Sequence, residues 1–445
     1  MLLISALIVL CLPSALYHEG NRIATIEGVI EDGMMHTVLI ADSDGQIYQF
    51  DKSNAEITTG ESGMRIGNPI TITYTGELDP TQTAQQVTVL SIVVKDTAQW
   101  EQSFAQPQPQ TAAEQAQKLL ASMSLEEKVG QMFLVRCPKE QAAEKAAQYH
   151  LGGYILFGRD FADKSQKEVA QNISSYQQAA TIPLLIGVDE EGGTVNRISS
   201  NPTFRAEPFP SPQALYEKGG WDAIRQDTME KCSLLHSLGI QLNFAPVCDV
   251  ATNPDSYMYP RTFGQDSAQT ARYIETVVQI MQEQRIGSVL KHFPGYGDCA
   301  DTHTGIAYDD RSYQSLQSSD FVPFQAGIDA GAPIVLVSHN IVSSIDAQYP
   351  ASLSPAVHDV LRNELGFSGV IITDDLYMEG VRQFADDTQT AVLAVLAGND
   401  LLCCTDFEVQ IPAVIQAVET GQISQQRIDA SVLRILQLKI SLGLL

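Results

Sequence analysis

Residues 369–376 read Gly-Val-Ile-Ile-Thr-Asp-Asp-Leu, and this stretch is the clearest indication of the fold of the larger part of the chain. Its unbroken apolar run, with no polar alternation, is typical of a strand that is buried on both faces of a parallel sheet. The run ends in two carboxylates, Asp374 and Asp375. An apolar strand that ends in acidic side chains predicts a catalytic or binding site at the carboxyl edge of the sheet.

Seven more apolar runs of this kind occur from residue 112 onward, and helical stretches separate most of them. The predicted strands are Met132–Val135, Tyr154–Phe157, Leu184–Val188, Leu242–Val247, Ser288–Leu290 continuing to His292, Ile334–Val337, Val370–Thr373 and Leu401–Cys403. Eight strand–helix units in this length match a (β/α)8 barrel in number and size. A doubly wound sheet is the alternative, but it rarely needs eight strands. We therefore predict an α/β fold, a TIM-type barrel over residues 112–445.

Residues 22–96 have a different periodicity, close to two. Five short apolar runs, separated by turn residues, predict a small all-β accessory domain, either OB-like or a sandwich. The predicted strands are Ile23–Ile30, Thr37–Ala41, Ile47–Phe50, Ile70–Thr75 and Val87–Val94.

Two further segments complete the predicted organisation. Residues 97–111 contain two X-Pro units in a Gln-rich run, which predicts a semi-rigid linker. Residues 1–17 carry no charged side chain and resemble the core of a signal peptide. We expect a secreted or cell-surface protein, with a mis-assigned start or an uncleaved N-terminal membrane anchor as the alternatives.

The charge balance narrows the classes of partner. The chain has 27 basic and 53 acidic residues, a net charge of −26. Such a surface repels phosphate backbones and anionic lipids, so we expect no nucleic-acid partner. The seven cysteines show no metal-finger spacing, and we predict neither a disulfide framework nor a structural zinc site.

Polar residues follow six of the eight predicted barrel strands, which favours a converging pocket over chance. They are Arg136, Asp189, Asp249, Lys291 with His292, His339, and Asp374 with Asp375. A rigid strand holds a nucleophile within the tolerance that catalysis demands. Of the two adjacent aspartates, Asp374 is the better catalyst, and Asp375 is the better cap for the following helix.

The loop after strand five, residues 291–303, is the densest in chemical groups. Asp301 and His303 lie two residues apart, and a carboxylate beside an imidazole makes a general acid/base near neutral pH. The alternative is a metal site formed by His292, Asp301 and His303. Their spacing fits no established metal motif, and we predict no metal and no cofactor.

Several segments together carry a family resemblance. They are residues 124–132 (SLEEKVGQM), 152–157 (GGYILF), 188–193 (VDEEGG), 242–247 (LNFAPV), 261–264 (RTFG), 291–295 (KHFPG), 301–303 (DTH) and 373–376 (TDDL). In this order and spacing they resemble glycoside hydrolase family 3, and within it the bacterial β-N-acetylhexosaminidase branch. The resemblance covers essentially the whole predicted barrel.

The resemblance implies a retaining glycosidase in which Asp374 is the nucleophile. His303, held by Asp301, would be the acid/base, where most retaining enzymes use a second carboxylate. Four residues would bind hydroxyl groups of the non-reducing sugar: Asp189, Arg261, Lys291 and His292. The implied substrate is a terminal β-GlcNAc unit of peptidoglycan fragments or chitin-type oligosaccharides.

Three positions depart from the pattern of this branch. Tyr296 stands where a second loop histidine is usual, Thr194 replaces a common arginine, and Glu190 replaces a glutamine. None of them is the implied nucleophile or acid/base. The alternatives to the implied function are another β-glycoside, phosphate in place of water as the acceptor, or a carbohydrate-binding protein with a dead site.

Overall fold

A computed structural model describes residues 23–60, 63–95, 111–297 and 305–445. The chain divides into two compact units, residues 1–109 and 110–445. The N-terminal segment 1–17 lies outside the described residues, as does the linker 97–111 except for its last residue. That residue, Thr111, is the N-cap of the first helix of the second unit.

The first unit is a small β domain, as predicted. Its strands are β1 Ile23–Gly33, β2 Thr37–Ala41, β3 Ile47–Asp51, β4 Glu56–Thr59, β5 Pro69–Thr75 and β6 Thr88–Val94. They form one sheet in the order β3-β2-β1-β5-β6-β4, antiparallel except for the β4–β6 pair. The sequence did not reveal β4, because Glu-Ile-Thr-Thr is exposed at all four positions and has a single apolar residue.

The second unit contains a parallel eight-stranded barrel, which confirms the predicted fold class. Its strands are β7 Phe133–Arg136, β8 Gly153–Leu156, β9 Leu185–Val188, β12 Leu242–Asn243, β13 Gly287–Phe293, β15 Ile334–Val337, β17 Val370–Thr373 and β18 Leu402–Cys404. The order β17-β15-β13-β12-β9-β8-β7-β18 closes through a parallel bridge between Ile372 and Leu401. The short strands β10 Glu190–Gly192, β11 Val195–Asn196, β14 Tyr308–Asp309 and β16 Ile341–Val342 lie in two further two-stranded sheets.

Helices connect the barrel strands. They are α1 Ala112–Ser122, α2 Leu125–Gln131, α3 Ala142–Gln148, α4 Gly158–Phe161, α5 Gln166–Ala179, α6 Pro212–Leu238, α7 Ser267–Glu283, α8 Tyr313–Ser318, α9 Phe321–Asp329, α10 Pro355–Asp359, α11 Glu379–Arg382, α12 Asp387–Ala397, α13 Phe407–Glu419 and α14 Gln425–Ser441. Capping boxes at Ser124 and Ser165 explain where α2 and α5 begin. No helix among the described residues is long and apolar enough to cross a membrane.

Strand four is shorter than the sequence predicted. The apolar run to Val247 suggested six residues, but β12 ends at Asn243. Pro246 has no N–H to donate to a neighbouring strand, so the ladder is interrupted there. Pairing resumes at an isolated bridge between Val247 and Lys291.

A buried carboxylate fixes the start of strand seven. Asp400 accepts hydrogen bonds from the backbone N–H of Ile371 at 3.0 Å and from Ser431 at 2.6 Å. Arg362 and Arg434 also donate to it, from the preceding helical segment and from α14. This network ties β17, and therefore the aspartates that follow it, to the barrel frame.

Candidate active site

A cavity of about 690 Å³ opens at the carboxyl ends of the barrel strands. It brings together Asp374 and the four residues predicted to bind sugar hydroxyl groups: Asp189, Arg261, Lys291 and His292. The other lining side chains include Arg136, Phe157, Thr194, Arg197, Phe244, Tyr257, Asp375, Tyr377, Met378, Glu379 and Cys403. Six of the eight polar residues predicted to converge therefore line the cavity, and Asp249 and His339 do not.

Lys291 is the centre of the wall formed by strands three to five. Its Nζ lies 2.8 Å from Asp189 Oδ1 and 2.6 Å from Glu191 Oε1. Burial disfavours the charged form of this lysine, but the two carboxylates outweigh burial and raise the pKa of Lys291. Lys291 therefore remains a cation that is held between two acids.

Glu191 has a second cationic partner. Its carboxylate receives two hydrogen bonds from Arg261, at 2.7 Å from Nη2 and 3.1 Å from Nε, a bidentate pairing. Burial opposes the ionised form, yet Lys291 and Arg261 overcome it and lower the pKa of Glu191 to about 2. The same carboxylate raises the pKa of Arg261. The sequence did not single out Glu191, although it orders two of the four predicted sugar-binding residues.

His292 is oriented from both sides of its ring. Its Nδ1 lies 2.7 Å from Asp249 Oδ2, and its Nε2 lies 3.2 Å from Arg261 Nη2. A guanidinium only donates, so the network assigns the proton to Nδ1 and leaves Nε2 as an acceptor. Asp249 also accepts the backbone N–H of Tyr296, whose ring packs edge-on against His292 at 5.5 Å. Tyr296 thus packs where the family pattern has a histidine.

Asp374 and Asp375 stand on the opposite wall, directly after β17. Asp374 Oδ1 accepts the backbone N–H of Asp375 at 2.8 Å, which orients the carboxylate. Asp375 does not cap the following helix as expected, because α11 begins only at Glu379. It caps the intervening turn, where its Oδ1 accepts the N–H of Tyr377 at 3.0 Å.

Burial and nearby residues determine the pKa and the position of Asp375. Burial raises the pKa of Asp375 to about 6, the Tyr377 N–H opposes this shift, and the charge of Asp374 adds to it. His339 is buried below this wall, where its Nε2 donates to the Asp375 carbonyl at 3.0 Å and its Nδ1 accepts from Ser352. His339 therefore positions the aspartate pair, and it is not among the residues that line the cavity.

Glu190 organises the loop after strand three. Its carboxylate accepts the backbone N–H groups of Arg197, Ile198 and Ser199 at 2.8–3.1 Å, and the Ser199 hydroxyl. This places Arg197 in the cavity wall, with its Nε 3.7 Å from Asp189. A buried acid surrounded by N–H donors is a reason for glutamate at this position. Sequence reasoning missed Arg197. Thr194, which stands where the family pattern has an arginine, is exposed.

Asp301 and His303 lie outside the described residues, so their predicted acid/base roles stay predictions. Beyond the undescribed segment, Arg311 pairs with Asp309 and Asp320, each at 2.7 Å. Gly297 has a φ of 54°, and a Cβ added there would lie 2.5 Å from the Arg311 guanidinium carbon, so a larger residue would strain the backbone and displace that guanidinium. Among the described residues, no group of three or more His, Cys, Asp or Glu side chains is arranged to hold a metal ion.

Known proteins resemble this chain in sequence and in structure. The model of the glycosyl hydrolase family 3 N terminal domain matches residues 124–438. A β-hexosaminidase of Nitrosomonas eutropha is 31% identical over 288 residues, which are 62% of this chain and 82% of the relative. A β-hexosaminidase of Xanthomonas campestris pv. campestris is 36% identical over 232 residues, 51% of this chain and 69% of the relative.

Solved structures agree with the sequence matches. A family 3 β-N-acetylglucosaminidase from Paenibacillus sp. str. FPU-7 superposes with a TM-score of 0.67 at 32% identity. The match covers 73% of this chain and 63% of that protein. The family match spans the whole barrel and every described residue of the cavity, and the chain is therefore a glycoside hydrolase that belongs to glycoside hydrolase family 3.

Proposed function

We propose that this protein is a retaining exo-β-N-acetylglucosaminidase that removes terminal β-GlcNAc units from peptidoglycan fragments or chitin-type oligosaccharides. One observation carries the proposal. Asp374 shares a single cavity with a wall of fixed donors and acceptors formed by Asp189, Arg261, Lys291 and His292. Such a wall suits a hydroxyl-rich sugar, because each of its groups is already oriented by a buried partner.

In the first step, an Asp374 oxygen attacks the anomeric carbon of the terminal sugar. The bond from that carbon to the leaving oxygen breaks, and the leaving oxygen takes a proton from the general acid. In the second step, water gives a proton to the same group and displaces Asp374, so the anomeric configuration is retained overall. By the family resemblance the general acid is His303, oriented by Asp301.

The names of the relatives support the choice of sugar, since both are β-hexosaminidases. The site has ample room, because the cavity of about 690 Å³ lies within the 300–1,000 Å³ that is usual for small-ligand sites.

Export to the cell surface or medium belongs to the same proposal. It rests on the character of residues 1–17 and on a substrate class that is found outside the cytoplasm.

The test is a panel of p-nitrophenyl β-glycosides that differ only in the sugar. We expect kcat/KM for β-GlcNAc to exceed that for β-glucose by at least about tenfold, which is only ~1.4 kcal/mol of discrimination. A preference for glucose or xylose would replace the proposed substrate with another β-glycoside. Faster turnover in phosphate than in a non-nucleophilic buffer, with a sugar phosphate as product, would replace hydrolysis with phosphorolysis.

The covalent step has a separate test. A fluorinated, slowly released derivative of the preferred sugar should label the protein once, on the peptide that contains Asp374, as read by mass spectrometry. A label on another carboxylate would move the nucleophile. Activity without any label, together with an inverted product anomer by NMR, would overturn the retaining mechanism.

A further inference from the structure

Two tyrosines among the residues that line the cavity are exposed, Tyr377 at 48% and Tyr257 at 43%, whereas Phe244 is buried. Tyr377 is the one that follows Asp374 closely in the chain, three residues later. It lies at the rim, in the turn between β17 and α11. An exposed aromatic ring at the mouth of a cavity is available to a ligand that extends beyond the cavity.

The ring of Tyr377 is held in place from behind. Its backbone N–H donates to Asp375, and the N–H of Met378 donates to the Asp375 carbonyl at 2.9 Å, which closes the turn. The guanidinium of Arg382 lies 4.5 Å from the ring centre, and its Nε is 3.3 Å from Asp387. With one face covered by a cation that is itself paired, the other face of the ring is available to a ligand.

Chain geometry limits how far the backbone of Tyr377 can lie from that of Asp374. Tyr377 comes three residues after Asp374, so their Cα atoms are at most ~11 Å apart even in an extended chain. The turn makes the separation shorter. Both side chains line the same cavity, so a leaving sugar at the rim can reach the ring of Tyr377 while the terminal sugar lies against Asp374.

The chemistry of the ring suits a pyranose. The face of an aromatic ring carries partial negative charge, and the C–H bonds on the flat side of a sugar present partial positive charge to it. Glu379 lies on the same rim and lines the cavity, where it is an acceptor for hydroxyl groups. The sugar that loses its anomeric bond is already served by the buried groups around Lys291, so the rim is left for the sugar on the other side of that bond.

We propose that Tyr377 forms the binding subsite for the leaving sugar, which stacks on the exposed face of the ring. The inference rests on the proposed function, since it assumes that Asp374 attacks the terminal sugar. It predicts that the enzyme favours a pyranose over a small alkyl group as the leaving group. Tyr377 would then set specificity for the aglycone, not for the terminal sugar.

The experiment compares a β-linked disaccharide of GlcNAc with methyl β-GlcNAc, in the wild type and in three variants. Tyr377→Ala removes the ring, Tyr377→Phe keeps it, and Tyr349→Ala removes a similarly exposed tyrosine that does not line the cavity. We expect Tyr377→Ala to lower kcat/KM for the disaccharide about tenfold, ~1.4 kcal/mol. The methyl glycoside should change by less than about twofold, and Tyr377→Phe and Tyr349→Ala should follow the wild type on both substrates.

Equal losses of Tyr377→Ala on both substrates, or no loss on the disaccharide, would overturn the subsite. A general effect on folding would appear as a lower melting temperature and a loss on both substrates, which Tyr377→Phe would not share. If the glycoside panel selects another sugar, the proposed substrate fails, and the same pair of substrates made with that sugar still decides the role of Tyr377.

Discussion

The two walls of the cavity are built on opposite principles. On the wall of strands three to five, Asp189 and Glu191 balance the charges of Lys291 and Arg261 in short, buried ion pairs. On the wall of strand seven, Asp375 is held by backbone groups and by Thr405, and its pKa is raised to about 6. A wall of satisfied charges cannot easily change protonation or geometry, which suits binding, whereas a wall that contains a buried carboxyl with a raised pKa, Asp375, suits reaction.

The largest effect should follow from Asp374→Ala. Loss of a covalent nucleophile should lower kcat by at least about a thousandfold, because water attacks the anomeric carbon far more slowly than a positioned carboxylate does. The side chain is not part of the buried core, so the melting temperature should stay close to that of the wild type. Assays on a p-nitrophenyl glycoside check the rate, and Asp375→Asn is the neighbouring control. A residual kcat above about a tenth of wild type would place the nucleophile elsewhere.

The residues of the cavity also differ in whether their positions could be predicted from the sequence. Apolar runs of four residues, such as Ile334–Val337 and Val370–Thr373, were predicted to the residue, because strands buried on both faces have an unmistakable composition. Asp374, Lys291 and His292 were predicted because they end such strands. The ends of parallel strands converge, so position along the chain was sufficient.

Glu191 and Arg197 were beyond that reasoning, since neither ends a barrel strand. Their placement depends on a small hairpin, β10–β11, and on hydrogen bonds from the backbone N–H groups of Ile198 and Ser199, just beyond the hairpin, to the Glu190 carboxylate. The cap expected of Asp375 was wrong for a related reason. Because of the turn at residues 375–378, the helix begins only at Glu379, and the local sequence did not predict this turn.

Glu191→Gln should produce the next largest effect, since it breaks the buried network from its centre. Glutamine keeps the shape but removes the charge shared by Lys291 and Arg261, and removal of one partner from a buried ion pair costs about 3–5 kcal/mol. We expect a clearly lower melting temperature and a loss of kcat/KM on the order of a hundredfold, mainly through KM. Glu419→Gln, on the exposed end of α13, makes the same change where no network exists.

If the two glutamate variants had equal stability and activity, the wall of strands three to five would not depend on this charge. If Glu191→Gln lost stability but kept KM, the network would hold the fold and not the sugar. Either result would remove the contrast between a binding wall and a reacting wall.

Asp375→Asn should have a smaller, pH-dependent effect that belongs to the reacting wall. The pKa of Asp375 is about 6 in the folded chain and ~3.9 in an unfolded one, so the folded state binds more protons between these values. The wild type should therefore lose stability as pH rises from about 4 to 6, by at most ~3 kcal/mol. Asparagine still accepts the Tyr377 N–H and carries no charge, so the variant should gain stability relative to wild type over this range. Denaturant unfolding at pH 4.5 and 7.5 measures it, and a pH-independent difference would contradict the raised pKa.

The smallest effect on activity should come from Glu190→Gln, although Glu190 is the direct neighbour of Glu191. Glu190 meets backbone N–H groups and a hydroxyl, and it makes no salt bridge within the described part of the chain. Each Glu190 oxygen accepts two hydrogen bonds, and a glutamine replaces one oxygen with an amino group, so about two hydrogen bonds are lost, ~2 kcal/mol. The loop should keep Arg197 near the cavity, and kcat/KM should fall by less than about threefold.

Glu190→Gln and Glu191→Gln differ by one position and make the same chemical change, so each is the control for the other. Melting temperatures and kcat/KM measured side by side should separate them widely, because one glutamate orders a loop through neutral donors and the other balances two buried cations. A Glu190→Gln variant as inactive as Glu191→Gln would mean that the geometry of the β10–β11 hairpin, and not charge pairing, is what the binding wall depends on.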